Sequence, residues 1–125
     1  MKVKEVMKKI IVVEKDLSLR EAAKIMSDKG IGSLVFLKKD KLVGMITERD
    51  VLENLSSLGR KISEVSRKLI VTIEDDDSLE HAAELMTEKK IKRLPVTNKN
   101  KLTGIITATD IIANVDDLNE EFYFD

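Results

Sequence analysis

Two copies of one short pattern contain the side chains of this chain that are best suited to chemistry. The pattern Gly-x-x-Thr-x-x-Asp occupies residues 44–50 and returns about 60 residues later, at residues 104–110. In each copy an apolar run ends just before the Thr, which predicts that a strand ends and a helix begins there. A hydroxyl and a carboxylate in the first turn of a helix can serve either the helix itself or a ligand.

The structural interpretation and the ligand-binding interpretation use the same geometry. A Thr at the N-cap and an Asp three residues later form a variant of the capping box, with an acid at the positive end of the helix. The same helix end offers N–H groups to a phosphate, with the hydroxyl of Thr47 or Thr107 beside them. The carboxylate of Asp50 or Asp110 can accept from two sugar hydroxyls, as an acid does for the ribose in dinucleotide-binding folds. One copy alone leaves both interpretations open.

Basic residues near the second pattern are candidate partners of a phosphate. Lys92 and Arg93 come just before a predicted strand, where the first copy has Gly32 and Ser33. Solvated surface charge is the simpler interpretation for either cation taken alone. Beside an anion-binding helix end both become phosphate ligands, and Arg is the better one because its guanidinium presents a fork of donors. Arg49, inside the first pattern, is a weaker candidate of the same kind.

Two isoleucines complete the set of candidate site residues. Ile11 and Ile70 lie in short apolar runs that predict strands. Core packing is the simpler interpretation of both side chains. At a strand end beside a cleft, the same side chains could pack against the face of an adenine.

Catalytic and metal-binding patterns are missing from the sequence, which argues against an enzyme. The chain has no Cys, and its single His, His81, falls on the expected exterior of a helix. It contains no Ser-His-Asp set and no Gly-rich loop followed by Lys and Ser or Thr. The acids at 75–77 lack the spacing of a calcium loop and are interpreted as a solvated turn.

The elements that would position these residues also repeat, in the order β-α-β-β-α. Ser18 and Ser78 are predicted N-caps of helices whose apolar residues recur at helical spacing. Gly30 is a predicted helix stop, whereas Lys90 at the matching place predicts that the second helix ends in another way. Pro95 predicts a strand that begins there or lies at an edge. The predicted strands are 9–13, 33–37, 42–46, 69–73, 94–97 and 102–106, with four-residue connections at 38–41 and 98–101, and shorter helices run from 48 to about 55 and from 108 to about 115.

Length and composition indicate one globular module with a charged surface. Of 125 residues, 42% are hydrophobic and 36% charged, with a net charge of −1. The near-neutral charge argues against nucleic-acid binding, and no apolar run approaches a membrane span. With no cysteine and no signal-peptide pattern, a cytoplasmic protein is expected. We place repeat 1 at 1–60, repeat 2 at 61–115 and an acidic, aromatic tail at 116–125, which either is solvated or docks on its own domain or on a second subunit.

The doubled motifs resemble the tandem CBS-domain module, also called the Bateman module. The resemblance covers residues 3–115 and rests on three motifs that occur twice in the same order: Ser-Leu-x-x-Ala-Ala-x-x-Met, Ile-x-x-Leu, and Gly-x-x-Thr-x-x-Asp. It implies an α+β fold in which two tandem β-α-β-β-α repeats pack with pseudo-twofold symmetry into one compact module.

What the resemblance implies about function is regulation by a small ligand, with no catalysis, no required cofactor and no metal. Such modules bind adenosine-containing ligands (AMP, ADP, ATP or S-adenosylmethionine) in the cleft between repeats, pair into homodimers through their helices and pass a signal to an effector protein. Carried over to this sequence, Asp50 and Asp110 accept from the ribose, and Thr47 and Thr107 lie near the phosphates or the ribose. Further lining residues are Gly32, Ser33, Lys92 and Arg93, with Ile11 and Ile70 against the base.

The two copies depart from the family pattern in different ways, which predicts unequal sites. Val35 stands where the family has a Pro, and Gly32 and Ser33 stand where repeat 2 has its basic pair. The Asp110 site is therefore expected to favour anionic nucleotides more than the Asp50 site. The alternative is a dimeric protein-interaction platform whose ligand sites have degenerated.

Overall fold

The computed structural model describes residues 1–68 and 70–115, and the predicted tail lies outside the described residues. It contains two three-stranded sheets, each with the same topology. The middle strand of each sheet pairs in parallel with the first strand and antiparallel with the third. The strands are β1 (Val12–Val13), β2 (Ser33–Lys38) and β3 (Lys41–Thr47), then β4 (Ile73–Glu74), β5 (Arg93–Asn98) and β6 (Lys101–Thr107).

The first strand of each sheet is shorter than the sequence predicts. The β-branched runs at 9–13 and 69–73 predict five-residue strands, but only the last residues of each region pair with the sheet. Ile11 still contributes its carbonyl, which accepts from the N–H of Val35 at 3.1 Å. A β-branched run predicts an extended backbone, but the length of a strand also depends on where a partner strand is available for pairing.

The longer helices are α1 (Leu19–Lys29) and α4 (Leu79–Lys89), and each begins at the predicted serine. The Ser18 hydroxyl accepts from the N–H of Glu21, and the Ser78 hydroxyl accepts from the N–H of His81. Both helices end on a left-handed residue, Gly30 at φ 61° and Lys90 at φ 56°. The expectation that α4 ends differently is therefore wrong, because a Lys adopts the conformation that usually calls for glycine. The described residues also form three shorter α-helices: α2 (Glu48–Glu53), α3 (Ile62–Val65) and α5 (Ala108–Ala113).

Both hairpins turn through two residues instead of the four predicted from the sequence. Lys39 and Asp40 have φ of 51° and 63°, and Lys99 and Asn100 have φ of 50° and 67°. Positive φ at both central positions is the type I′ geometry, whose twist matches that of the flanking strands. The strands consequently extend to the turn on both sides, ending in the pair Lys38–Lys41 in the first hairpin.

Pro95 lies inside a central strand, which corrects the prediction of a strand start or an edge. It is the third residue of β5, which pairs with β4 on one side and β6 on the other. The equivalent Val35 directs its N–H to Ile11, away from β3. The missing donor of Pro95 therefore faces the parallel side of the sheet, where pairing with β4 begins one residue later, at Val96.

The chain forms two compact units that do not coincide with the sequence repeats. The continuous unit is Ile11–Ile70, and the discontinuous unit joins Met1–Ile10 to the described part of Val71–Asp125. Each unit thus receives a segment that the sequence repeat assigns to the other copy. We call residues 1–10 and 61–68 the leading segments.

Each leading segment closes the core of its unit with one fully buried side chain. Val3 joins the core of the discontinuous unit, and Ile62 joins that of the continuous unit. The helix side chains predicted to form apolar faces surround them, because α1 and α4 pack their Leu, Ala and Met residues on the sheets. The buried cores are Val3, Ile73, Leu79, Ala82, Met86, Leu94, Val96 and Ile106, and Leu17, Leu19, Ala22, Met26, Leu34, Phe36, Ile46 and Ile62.

Candidate functional site

The Thr and the Asp of each Gly-x-x-Thr-x-x-Asp pattern are hydrogen-bonded to each other at the start of a short helix. Asp110 Oδ2 accepts from the Thr107 N–H and from the Thr107 hydroxyl, both at 2.9 Å. Asp50 Oδ2 accepts from the Thr47 N–H at 2.8 Å and from its hydroxyl at 3.2 Å. The predicted capping box is therefore formed in both copies, and it occupies one oxygen of each carboxylate.

Both carboxylates are buried although they are ionisable. Asp50 is 7% exposed and Asp110 is 3% exposed. Burial of a carboxylate is unfavourable unless hydrogen bonds or cations compensate it, so a buried acid with one oxygen left over from capping is a candidate acceptor for a ligand.

An asparagine four residues after each Asp belongs to the same arrangement, and the sequence analysis missed it. Asn54 Nδ2 donates to the carbonyl of Asp50 at 2.7 Å, and Asn114 Nδ2 donates to that of Asp110 at 2.8 Å. These amides bond carbonyls near the helix ends, where the last turn lacks partners. The signal was available, because the pattern extends in both copies to Thr-x-x-Asp-x-x-x-Asn.

The helix starts offer fewer free N–H groups than the sequence interpretation assumed. The N–H of Ala108 donates to the carbonyl of Lys92 at 2.9 Å, and that of Glu48 donates to Gly32 at 3.1 Å. In the second copy the N–H of Asp110 also donates to the Thr107 hydroxyl, at 3.2 Å. Two of the first three amides of α5 are thus already bonded, which favours a role in binding sugar hydroxyls over a phosphate cradle.

The candidate residues at the strand starts lie directly beside the Thr residues. Ser33 pairs with Thr47, and Arg93 pairs with Thr107, across their antiparallel ladders. Ser33 is buried, Arg93 is half-buried and Lys92 is exposed. Arg49 extends along the exposed face of α2, where its Nε lies 3.2 Å from Glu53 Oε1.

Ile11 and Ile70 are half-buried, and each lies just beyond the end of a leading segment. Ile11 packs against the core of the continuous unit. Ile70 lies next to Leu69, which is outside the described residues. Their partial exposure leaves apolar surface on each side chain that a ligand base could cover.

Lys8 reaches the second carboxylate from the opposite end of the sequence. Its Nζ lies 3.0 Å from Asp110 Oδ1, the oxygen that the capping box leaves over. The sequence analysis missed this residue, since 102 positions separate it from Asp110 and no local pattern joins the two. Only the exchange of the leading segment brings them together.

A cavity of about 470 Å³ in the continuous unit adjoins the first copy of the pattern. It lies between α1 and the start of α2, and Gly32 and Glu48 are part of its lining. Its remaining lining residues are mainly apolar: Ala23, Met26, Ser27, Gly30, Ile31, Val51 and Leu52.

The acidic turn at 75–77 contacts the leading segment at residues 1–10. Asp76 Oδ1 accepts from Lys4 Nζ at 3.1 Å and from Lys2 Nζ at 3.4 Å. The hydrogen bond from the Lys4 ammonium holds the pKa of the Asp76 carboxyl below its usual range. In the described part of the chain, no group of three or more His, Cys, Asp or Glu side chains could hold a metal ion. No helix there is long and apolar enough to cross a membrane.

Comparison with known proteins accounts for the repeated geometry. A model of the CBS domain matches the chain twice, at residues 3–57 and 62–117. The chain belongs to the CBS domain family. The resemblance predicted from the doubled motifs is confirmed, as are the α+β class and the tandem arrangement of two CBS repeats.

Solved and curated relatives agree with this assignment. The crystallised CBS domain pair of protein MJ0100, in complex with 5′-methylthioadenosine and S-adenosyl-L-methionine, is similar with a TM-score of 0.87 and 29% identity, over 94% of this chain and 98% of that one. The CBS domain-containing protein YhcV of Bacillus subtilis is 32% identical over 109 residues, 84% of this chain and 78% of YhcV. The uncharacterized protein MJ1232 of Methanocaldococcus jannaschii is 35% identical over 106 residues, but the match spans only 36% of MJ1232.

Proposed function

We propose that this CBS pair is a regulatory module that binds an adenosine-containing ligand (AMP, ADP, ATP or S-adenosylmethionine). The ligand would occupy the cleft that the family resemblance implies between the repeats, and the change would pass to an effector protein. The observation that carries the proposal is the buried Asp of each copy, with Oδ2 committed to the helix cap and Oδ1 outside it. Oδ1 can accept from a ligand, at Asp110 once the Lys8 ammonium has moved away.

The chemistry of a ribose fits this oxygen. The 2′ and 3′ hydroxyls of a ribose are neighbouring donors, and a buried carboxylate accepts such bonds more strongly than a neutral group does. The Thr–Asp hydrogen bonds hold the carboxylate in one orientation, so that little side-chain entropy is lost when a ligand binds. Asp50 and Asp110 are therefore the proposed ribose acceptors, with Thr47 and Thr107 as their supports.

Neighbouring side chains supply the rest of the proposed site. Arg93 and Lys92 would bind the phosphates of a ligand at the second copy. The equivalent residues of the first copy, Gly32 and Ser33, carry no charge. Ile11 and Ile70 would pack on the adenine. The MJ0100 CBS pair, which binds 5′-methylthioadenosine and S-adenosyl-L-methionine, supports an adenosyl ligand for this chain.

Regulation without catalysis is the proposed mode of action. A ligand transmits a signal only if it binds one conformation of the protein more tightly than another. The single histidine, His81, contacts Asp77 at 2.5 Å on an exposed surface of the discontinuous unit. In longer relatives the match to this chain covers a minor part of the relative, for example 22% of an inosine-5′-monophosphate dehydrogenase. A regulatory domain attached to an enzyme would give a match of this kind.

Isothermal titration with the four adenosyl ligands tests the proposal. Asp110→Asn and Asp50→Asn are matched variants, because Asn keeps the shape of the cap and removes the charge. Each variant should lose at least about tenfold in affinity at its own site, since a hydrogen bond to a charged group contributes about 1.5–3 kcal/mol. Unchanged affinity in both variants would mean that these carboxylates only cap helices. No binding of any of the four ligands at millimolar concentration by folded protein would refute the adenosyl assignment.

We also propose that the protein forms a homodimer through its short helices. The alternative function, a dimeric protein-interaction platform, requires the same dimer. Apolar residues on α2 and α5 and just beyond them are exposed at repeated positions: Leu52 at 67%, Leu55 at 62%, Ile112 at 70% and Val115 at 43%. Exposed apolar surface at equivalent places in two units is typical of an interface.

Light scattering should give the mass of a dimer for the native chain and of a monomer for Leu52→Glu with Ile112→Glu, whereas the exposed hairpin variant Lys41→Glu should stay dimeric. A native chain that is monomeric at high concentration would contradict the dimer.

A further inference from the structure

The two leading segments pass the third strand of their sheets at equivalent places. Lys8 forms an antiparallel bridge with Ile105, and Arg67 forms one with Met45. The backbone bonds are 2.8 and 2.9 Å in the first bridge and 3.1 and 3.2 Å in the second. Each bridge thus sets one basic residue beside the strand that leads into the Thr–Asp pattern.

Their side chains behave differently. The Lys8 ammonium forms an ion pair with Asp110 Oδ1, at 3.0 Å. Arg67 is exposed, and no ion pair or hydrogen bond between its guanidinium and Asp50 occurs within residues 1–68 and 70–115. Among the residues that the structure describes, a cation of the same unit therefore pairs with Asp110, and none pairs with Asp50.

This pairing competes with a ligand for one atom. Asp110 Oδ2 already accepts two hydrogen bonds from Thr107, so a sugar hydroxyl must approach Oδ1, where Lys8 is bound. A neutral ligand that displaces the Lys8 ammonium from Asp110 leaves that ammonium without an anionic partner. A phosphorylated ligand provides a new anion, and a Lys side chain that is 71% exposed is long and mobile enough to turn toward it.

We propose that Lys8 is a specificity-determining residue of the Asp110 site, selecting ligands with a phosphate over neutral adenosine compounds. This inference rests on the proposed function, since it requires an adenosyl ligand at Asp110. The two copies should therefore differ in their preference for a phosphate, because Arg67 does not pair with Asp50. The site's charge preference thus depends on the first ten residues as well as on Lys92 and Arg93.

The test compares AMP with adenosine by isothermal titration in an Asp50→Asn background, which isolates the Asp110 site. Lys8→Met removes the charge and keeps most of the aliphatic stem. The variant should bind AMP about fivefold more weakly and adenosine about twofold more tightly, so the ratio of the two affinities should fall about tenfold, a change of about 1.4 kcal/mol. Lys8→Arg should restore most of the ratio.

Arg67→Met is the matched control and should change the ratio less than about twofold. Because the Lys8 side chain is largely exposed, its loss leaves the core intact, and circular dichroism of each variant checks this. An unchanged ratio in Lys8→Met, with AMP still bound, would refute the role of Lys8 and leave the proposed function standing. If the Asp50→Asn protein binds neither compound, both the Asp110 site and the role of Lys8 are refuted.

Discussion

One buried carboxylate per unit combines a structural role with a proposed ligand-binding role. Asp110 uses Oδ2 to cap α5 and Oδ1 to pair with Lys8. The sequence presented these roles as alternatives, because a capping box and a ribose acceptor require the same residue at the same place. The structure shows the cap directly, and the cap leaves the second oxygen to another partner, which at Asp110 is the Lys8 ammonium. An Asp110→Ala variant could not separate the two roles, since it would remove the helix cap and the proposed ligand acceptor together.

At the scale of single residues, the ends of α1 and α4 allow a quantitative prediction. Lys90 adopts the left-handed conformation in which a side chain is unfavourable by about 1 kcal/mol, so Lys90→Gly should raise the free energy of unfolding by roughly that amount. Gly30→Ala should lower it by a similar amount, since Gly30 has the same conformation and its Cβ would meet no neighbour. Chemical denaturation measures both. A destabilised Lys90→Gly protein would show that the Lys side chain contributes more than its conformation costs.

At the scale of elements, the sheets and leading segments depend on two glycines that permit close approach. A Cβ at Gly104 would lie 2.8 Å from the carbonyl oxygen of Lys8, and a Cβ at Gly44 would lie 2.4 Å from Ser66 Oγ. The structure places a leading segment there in both units.

Gly104→Ala should therefore destabilise the protein by about 1–3 kcal/mol, because backbone atoms must move to admit the methyl group. It should also weaken the Lys8–Ile105 bridge, which hydrogen exchange of the Ile105 amide would report. Gly59→Ala is the control, since its Cβ would meet nothing within 4 Å. Equal stability of the two variants would contradict the close contact.

Sequence reasoning succeeded for elements whose signals are local. The serine caps, the apolar helix faces and the Thr–Asp helix starts all follow from residues within a few positions of one another. It failed at three local turns, namely the end of α4 at Lys90 and both hairpins, and also where a partner distant in sequence decides the outcome. Pro95 is tolerated in a central strand because its missing donor faces the shortened parallel ladder. Lys8 meets Asp110 only because the leading segment crosses to the other copy, and neither residue carries a sign of this.

At the scale of the whole molecule, repeat boundaries and packing boundaries are separate properties. A fragment of residues 1–60 follows the repeat but lacks Ile62, which is fully buried in the continuous unit. A fragment of residues 11–70 contains that unit completely. Loss of a large buried aliphatic side chain costs about 2–5 kcal/mol, which is comparable with the stability of a small domain.

We therefore expect fragment 11–70 to retain more helix and a more cooperative thermal transition than fragment 1–60. Circular dichroism of the two fragments at equal concentration makes the comparison. Ile62→Ala in fragment 11–70 is the control and should bring its transition close to that of 1–60. Equal or greater structure in fragment 1–60 would show that the leading segment contributes little to its unit.

The exchange of leading segments also sets an order of events during synthesis. Residues 1–10 are synthesised before the continuous unit, yet the unit that they complete also requires residues from Val71 onward, which are synthesised after it. The continuous unit is finished in between and can fold while residues 1–10 still lack their partner strands. A segment made before the continuous unit is thus incorporated after it, and Lys8 joins Asp110 only after the second CBS repeat has emerged.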